Sequence, residues 1–101
     1  MAGDNYFTYI ITNKSRTTLY AGITNDLEVR LEQHKQTSGK PETFAGRYSC
    51  YYLIYFERFS NLLHAIEREK ELKKWSRSKK EALINSLNPN WRFLNDEVKE
   101  Q

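Results

Sequence analysis

Tyr6-Phe7-Thr8-Tyr9-Ile10-Ile11-Thr12-Asn13, then Lys14-Ser15-Arg16-Thr17, then Thr18-Leu19-Tyr20-Ala21-Gly22-Ile23-Thr24: the reading of this stretch decides the fold. Two alternating, β-rich runs flank a short polar segment, which predicts a hairpin with strands Tyr6 to Asn13 and Thr18 to Thr24. The expected register sets Tyr9 directly opposite Tyr20, with Cβ atoms about 4.5–5.5 Å apart. Both hydroxyls then share a face with Phe7, Ile11 and Gly22, while Leu19, Ala21 and Ile23 turn the other way beside Ile10. A slip of one residue would send the two tyrosines to opposite faces. Tyrosines favour strands, so ordinary cross-strand packing accounts for the pair taken alone. Gly22 adds something, because a glycine inside a strand often marks the close approach of a ligand or another backbone. It is expected to open a gap beside the tyrosines.

Working outward, Asn25 is the expected cap of a helix, with Glu28 at capping-box distance and Leu27 and Leu31 on its apolar side. That helix fades near Lys35 or Gln36. The next segment, to about Ser49, contains Gly39, Pro41 and Gly46 and has no clear period, so it reads as a functional or mobile loop. Tyr51 to Phe59 is the third predicted strand. Asn61 caps a helix running to about Trp75, and Ser76 or Ser78 opens another, with Ser78 and Glu81 spaced as a capping box. Pro89 ends that helix after Leu87. The expectation is an α+β fold in the order ββα–β–αα, a small three-stranded antiparallel sheet flanked by about three helices.

A chain of 101 residues accommodates one domain with a modest core, here residues 1–101 with the core at about 6–94. A short polar N-terminus precedes it, and an acidic tail follows. No apolar run approaches the ~20 residues of a membrane span, and Met1-Ala2-Gly3-Asp4-Asn5 lacks the pattern of a signal peptide. Cys50 is the only cysteine, which excludes an internal disulfide and suits a buried thiol in a reducing cytoplasm. A monomer with no membrane partner is expected. Net charge is +3 and the pI about 9.0, but the distribution is more informative than the total. Arg68, Lys70, Lys73, Lys74, Arg77, Lys79 and Lys80 stand against only Glu69 and Glu71, a local excess of +5. Asn95 to Gln101 has three acids and one lysine, a local −2. Such a gathered basic segment suits a polyanion, although a solvated helix face has the same composition.

Three residues beyond the hairpin bear on chemistry. Arg30 and His34 are four apart and share one face of the first helix. A guanidinium donates two parallel hydrogen bonds to a phosphate and stays charged, though either residue could equally be an ordinary surface side chain. Glu69 lies on the stripe formed by Leu62, Ala65, Ile66, Leu72 and Trp75, which is expected to face the core. Carboxylates are rarely buried unless paired or bound to metal. The blander alternative is an ion pair with Arg30 or another cation.

The series Tyr9, then Tyr20-Ala21-Gly22, then Asp26-Leu27-Glu28-Val29-Arg30-Leu31-Glu32-Gln33-His34 resembles the GIY-YIG nuclease superfamily. The stretch Ala65 to Arg77 and the ending Asn88-Pro89-Asn90-Trp91 resemble its small stand-alone bacterial members. Phe7-Thr8 replaces the Gly-Ile of the first motif and Ala21 replaces an isoleucine in the second, changes that alter pocket shape and remove no reacting group. The resemblance implies a divalent-metal-dependent endonuclease acting on DNA, or on RNA, with structured or damaged DNA in repair and recombination as the expected substrate. By the same resemblance Tyr9 and Tyr20 are the motif tyrosines, Arg30 stabilises the phosphate, His34 assists proton transfer, and Glu69 ligates one Mg²⁺ or Mn²⁺. One tyrosine would take the proton of the attacking water, its pKa lowered by Arg30, the metal and His34. Gly22, Lys35, Lys40, Arg47, Lys70, Lys73, Lys74, Arg77 and Asn88 are the expected nucleic-acid contacts, with Asn90 the rival of Asn88. A non-catalytic nucleic-acid-binding module is the alternative, since the basic cluster with Lys35, Lys40 and Arg47 would suffice for salt-sensitive binding. Such a module would gain from losing Glu69. A tyrosine acting as covalent nucleophile is a third, lesser possibility.

Overall fold

In the computed structural model, which describes residues 5–99, the side chain of Asn13 determines how the hairpin closes. Its Oδ1 accepts from the backbone N–H groups of Thr17 and Thr18 at 2.9 and 3.1 Å, and Thr12 Oγ1 donates to the Thr18 carbonyl at 2.7 Å. Thr18 is thereby held in the loop rather than the strand, and Arg16 adopts a φ of 61°. Strand β1 is Tyr6–Thr12 and β2 is Leu19–Thr24, with Thr12 paired to Leu19. The expected register is therefore corrected: Tyr9 lies opposite Gly22, and Tyr20 opposite Ile11. The displacement is even, so both tyrosines keep a common face.

Strand β3, Tyr52–Phe59, pairs antiparallel with β1 and gives the order β2-β1-β3. Ile10 pairs with Tyr55 and Ile11 with Leu53, so Ile54 is an extra residue at a β-bulge. The bulge lets Ile54 and Tyr55, though adjacent, pack into the same core, with Leu53 and Phe56 on the opposite side.

The helices are α1 (Leu27–Gln36), α2 (Phe44–Arg47), α3 (Leu62–Lys74) and α4 (Arg77–Leu87), followed by a 3-10 turn at Asn95–Val98. The α+β architecture is as the sequence predicts, with the single turn α2 added inside the predicted loop. Asp26, not Asn25, caps α1, its Oδ1 accepting from Val29 N at 3.1 Å. Asn61 caps α3 through Leu63 N at 2.8 Å, and Ser76 caps α4 through Lys79 N at 3.2 Å.

The sheet separates two cores. Phe7, Tyr9, Ile11 and Leu53 pack with Leu27 and Leu31 of α1, Ala45 of α2, and Leu94 and Val98. Ile10, Ala21, Ile54 and Tyr55 pack with Leu72 of α3 and Ile84 of α4. Each fully buried Leu or Ile contributes about 1.5–3 kcal/mol. Cys50 is buried as expected, and burial pushes its thiol up to about 11. Ala65 is also buried, and its carbonyl accepts from Thr8 Oγ1 at 2.8 Å, tying α3 to β1. Leu62 departs from the expected stripe, being 45% exposed at the first turn of α3, beyond the sheet. Of the terminal segments, Met1–Asp4 and Glu100–Gln101 lie outside the described residues. In the tail that is described, Glu97 pairs with Arg92 and Asp96 with Lys99.

Candidate active site

The site is built around one hydroxyl. The ring of Tyr9 is fully buried and lies across its cross-strand neighbour Gly22, where a Cβ would collide with Tyr9 Oη. Gly22 thus seats Tyr9, and the gap that a glycine leaves is filled by that ring. This corrects the expectation of an opening for ligand at Gly22. From α1, Arg30 Nε donates to Tyr9 Oη at 3.3 Å, and His34 Nε2 lies 2.8 Å from the same oxygen. The four-residue spacing places both side chains over Tyr9 from successive turns.

The hydrogen-bond directions follow from charge. Burial, with the Arg30 guanidinium adding to it, lowers the pKa of His34 to about 4, so the imidazole is neutral near pH 7. Arg30 can only donate, so Tyr9 Oη accepts from it; with His34 in its Nδ1–H tautomer the phenol directs its own proton to the lone pair on Nε2. Tyr9 is held above its usual pKa, chiefly by burial, with Arg30 pulling down and the charges of Tyr20 and Glu69 pushing up. Two parts of the sequence expectation are thereby corrected. Arg30 offsets burial only in part, and His34, being neutral, lends no positive charge to the phenol.

Tyr20 is half-buried, and its ring packs edge-on against His34 with centroids 6.0 Å apart. On the other side, Lys73 Nζ stands 5.1 Å from the centre of the Tyr20 ring. Lys73 is also the partner of Glu69, at 3.0 Å from Oε2. The Glu69 side chain is 16% exposed, so the anomaly in the helical pattern corresponds to a half-buried carboxylate. Burial works against the Lys73 charge, but the Glu69 hydrogen bond and the Tyr20 hydroxyl raise its pKa. Arg30 forms no ion pair among the described residues; its Nη1 donates only to Gln33 Oε1 at 2.9 Å.

No cluster of three or more His, Cys, Asp or Glu that could hold a metal exists among the described residues, and Glu69 is the carboxylate whose charge reaches Tyr9. A lone, partly shielded carboxylate whose only partner is a displaceable lysine fits a hard cation that keeps most of its waters. It does not fit zinc, which needs several protein ligands.

The expected nucleic-acid contacts divide into two groups. Lys35, Lys40, Arg47, Lys70 and Lys74 are exposed and pair with no carboxylate among the described residues. Lys35 also lines a cleft of about 740 Å³ with Tyr51, Tyr52 and Phe93. Arg77, by contrast, is a clamp: it pairs with Glu81 at 2.8 Å and donates to the carbonyls of Thr17 and Arg16 in the hairpin loop. Asn88 is corrected outright. It is 5% exposed, and its amide donates to the carbonyls of Ile54 and Arg92 while its oxygen accepts from Arg92 N. It satisfies the bulge of β3 and has nothing left to offer a substrate. Its rival Asn90 is exposed in the turn that follows.

Sequence reading missed Phe44, whose ring stacks on Tyr20, and Tyr48, whose ring packs on Phe44. The available signal was two aromatics four apart in an otherwise polar loop, after a Thr able to cap a turn.

Residues 5–82 match the GIY-YIG catalytic domain. A UPF0213 protein of Bacillus pumilus is 34% identical over 86% of this chain and 86% of its own length. One from Natronomonas pharaonis is 38% identical over 83% of this chain and 94% of its own. The UPF0213 protein BH0048 of Bacillus halodurans, solved in solution by NMR, superposes with a TM-score of 0.54 at 28% identity, covering 94% of this chain and 95% of that one. The chain therefore belongs to the GIY-YIG family, a family of nuclease-type catalytic domains, and within it to the small stand-alone UPF0213 group.

Proposed function

We propose that this chain is a divalent-metal-dependent endonuclease that hydrolyses phosphodiester bonds in structured or damaged DNA, in the reducing cytoplasm that a free buried Cys50 suits. What carries the reading is the Tyr9 hydroxyl, held between a guanidinium without a carboxylate partner and a neutral imidazole. Arg30 binds the non-bridging phosphate oxygens, where negative charge accumulates as a water oxygen adds to phosphorus. The water's proton passes to Tyr9 Oη as the phenol releases its own to His34 Nε2, so a free phenolate is never required. That relay removes the difficulty of the raised Tyr9 pKa. A phosphate anion beside Arg30 also offsets the guanidinium charge that, second to burial, holds His34 low. Tyr20, packed edge-on against His34, orients the imidazole. Glu69 would hold a Mg²⁺ or Mn²⁺ ion, which when bound neutralises charge on the phosphate and the departing oxygen. Lys73 keeps the Glu69 carboxylate neutralised until then.

The test is a panel of supercoiled plasmid, branched DNA and structured RNA, with Mg²⁺ or Mn²⁺, comparing wild type with Glu69→Ala and Arg30→Ala. Cutting that needs the metal and falls by about 10²–10³ in each variant is expected. Retention of cutting by both variants would end the assignment. Salt-sensitive binding with no cutting, unchanged in Glu69→Ala, would favour the binding module.

A further inference from the structure

The short helix α2 presents two large rings to solvent at the edge of the site. Phe44 is 48% and Tyr48 44% exposed, with ring centroids 4.9 Å apart. Phe44 stacks nearly parallel on Tyr20 at 5.9 Å and 23°, and Tyr20 in turn meets His34. One aromatic ring therefore separates this exposed pair from the relay at Tyr9.

The rings are fixed in place by the helix beneath them. Thr43 Oγ1 accepts from Gly46 N at 2.9 Å, Gly46 O accepts from Gly39 N at 2.8 Å, and Cys50 N donates to Ala45 O at 2.8 Å. Any Cβ at Gly46 would press on the carbonyls of Lys40 and Thr37 at 2.5 and 2.7 Å, so the backbone packs there with no room to spare. Ala45 and Gly46 are buried, which anchors α2 while Phe44 and Tyr48 turn outward. Two adjoining exposed rings on an anchored backbone form a contiguous apolar patch, the kind of surface that marks interaction sites.

Charge decides what it recognises. The two rings line a cleft of about 360 Å³ with Thr17, Thr18, Leu19, Arg77 and Lys80, and no acid among the described residues takes part. Arg77 is engaged with Glu81 and the hairpin loop, whereas Lys80 pairs with no carboxylate among the described residues. Flat π-faces beside a free ammonium suit a nucleobase attached to a phosphate. Bases inside a duplex are stacked on their neighbours and cannot reach such a platform.

Building on the nuclease reading, we propose that Phe44 and Tyr48 form a stacking platform for an unpaired base flanking the scissile phosphate, with Lys80 on the adjoining backbone. The platform makes a splayed or single-stranded arm, rather than continuous duplex, the preferred substrate feature. Lys80 was in the basic cluster legible from sequence; the platform gives it a place.

Affinities in EDTA for a forked duplex with one splayed arm and for a blunt duplex of equal length test this directly, with 2-aminopurine in the splayed arm reporting stacking. The wild type is expected to favour the fork by roughly tenfold and to quench the 2-aminopurine, as one base–aromatic stack supplies. Phe44→Leu and Tyr48→Leu, both at exposed positions where the apolar bulk is kept and the π-face lost, should reduce the preference and the quenching. Equal affinity for fork and blunt duplex, binding of neither, or full preference retained in both leucine variants would overturn the platform. Adding Mg²⁺ separates the two claims. Fork preference with quenching but no cutting upholds the platform and sinks the nuclease reading; cutting without fork preference does the reverse.

Discussion

At the residue scale the account turns on where protons and charges sit around Tyr9. A buried neutral His34 beside a fixed guanidinium resists protonation, and that resistance is visible as stability. The unfolded chain takes up the imidazole proton near pH 6.5, whereas the folded chain holds out to about 4. Across that window the unfolded state binds the extra proton, so stability falls as pH drops from about 6.5 to about 4 and His34 adds no further loss below. Urea midpoints for wild type and His34→Gln should therefore show a steeper acid decline in the wild type, by a few kcal/mol at most. Parallel curves would mean that the imidazole is protonated in the fold. Gly22 and Tyr9 illustrate how much of a site lies below sequence resolution. The glycine was legible as a place of close approach, but the object approaching it is the neighbouring tyrosine ring.

At the scale of elements, the strands, their order and the three main helices follow from alternation, capping residues and Pro89, because each is a local pattern. The features that sequence did not disclose arise from single side-chain contacts made over distance. The Asn13 amide draws Thr18 into the loop and so shifts the hairpin register by two. The β3 bulge has no local signature, since Leu53, Ile54 and Tyr55 read as an unbroken strand. The buried Ile54 carbonyl at the bulge is satisfied by Asn88, the residue that ends α4. Replacing Asn88 by Ala should leave the buried Ile54 carbonyl and the part-buried backbone groups of Arg92 without their side-chain partner, at a cost of about 1–3 kcal/mol in chemical denaturation. DNA affinity per folded molecule should stay unchanged. A large loss of affinity with little loss of stability would return Asn88 to the interface. The motif residues Tyr9, Tyr20, Arg30, His34 and Glu69 were legible as a set, but only the folded register tells which of them touch.

For the whole molecule, the sheet holds the first helix on one face and the basic pair α3 and α4 on the other. Glu69 and Lys73 of α3 meet the tyrosine site at Tyr20, on the edge strand β2. Among the described residues, no helix is long and apolar enough to cross a membrane. Lys70 and Lys74 of α3 and Lys40 and Arg47 between α1 and β3 pair with no carboxylate among the described residues, so on the proposed reading DNA affinity should fall linearly in log–log against salt. Lys74→Ala should reduce that slope by about 1, whereas Arg77→Ala should mainly lower stability by releasing the hairpin loop. Equal slopes for wild type and Lys74→Ala would remove Lys74 from the contact surface. The most direct test of the central claim is single-turnover nicking of supercoiled plasmid in Mg²⁺ by wild type and Tyr9→Phe, which differ by one buried oxygen. The account predicts metal-dependent nicking by the wild type and a loss of roughly 10²–10⁴ in the variant, with fold and DNA affinity retained. Absence of nicking by the wild type, or wild-type rates from Tyr9→Phe, would contradict it.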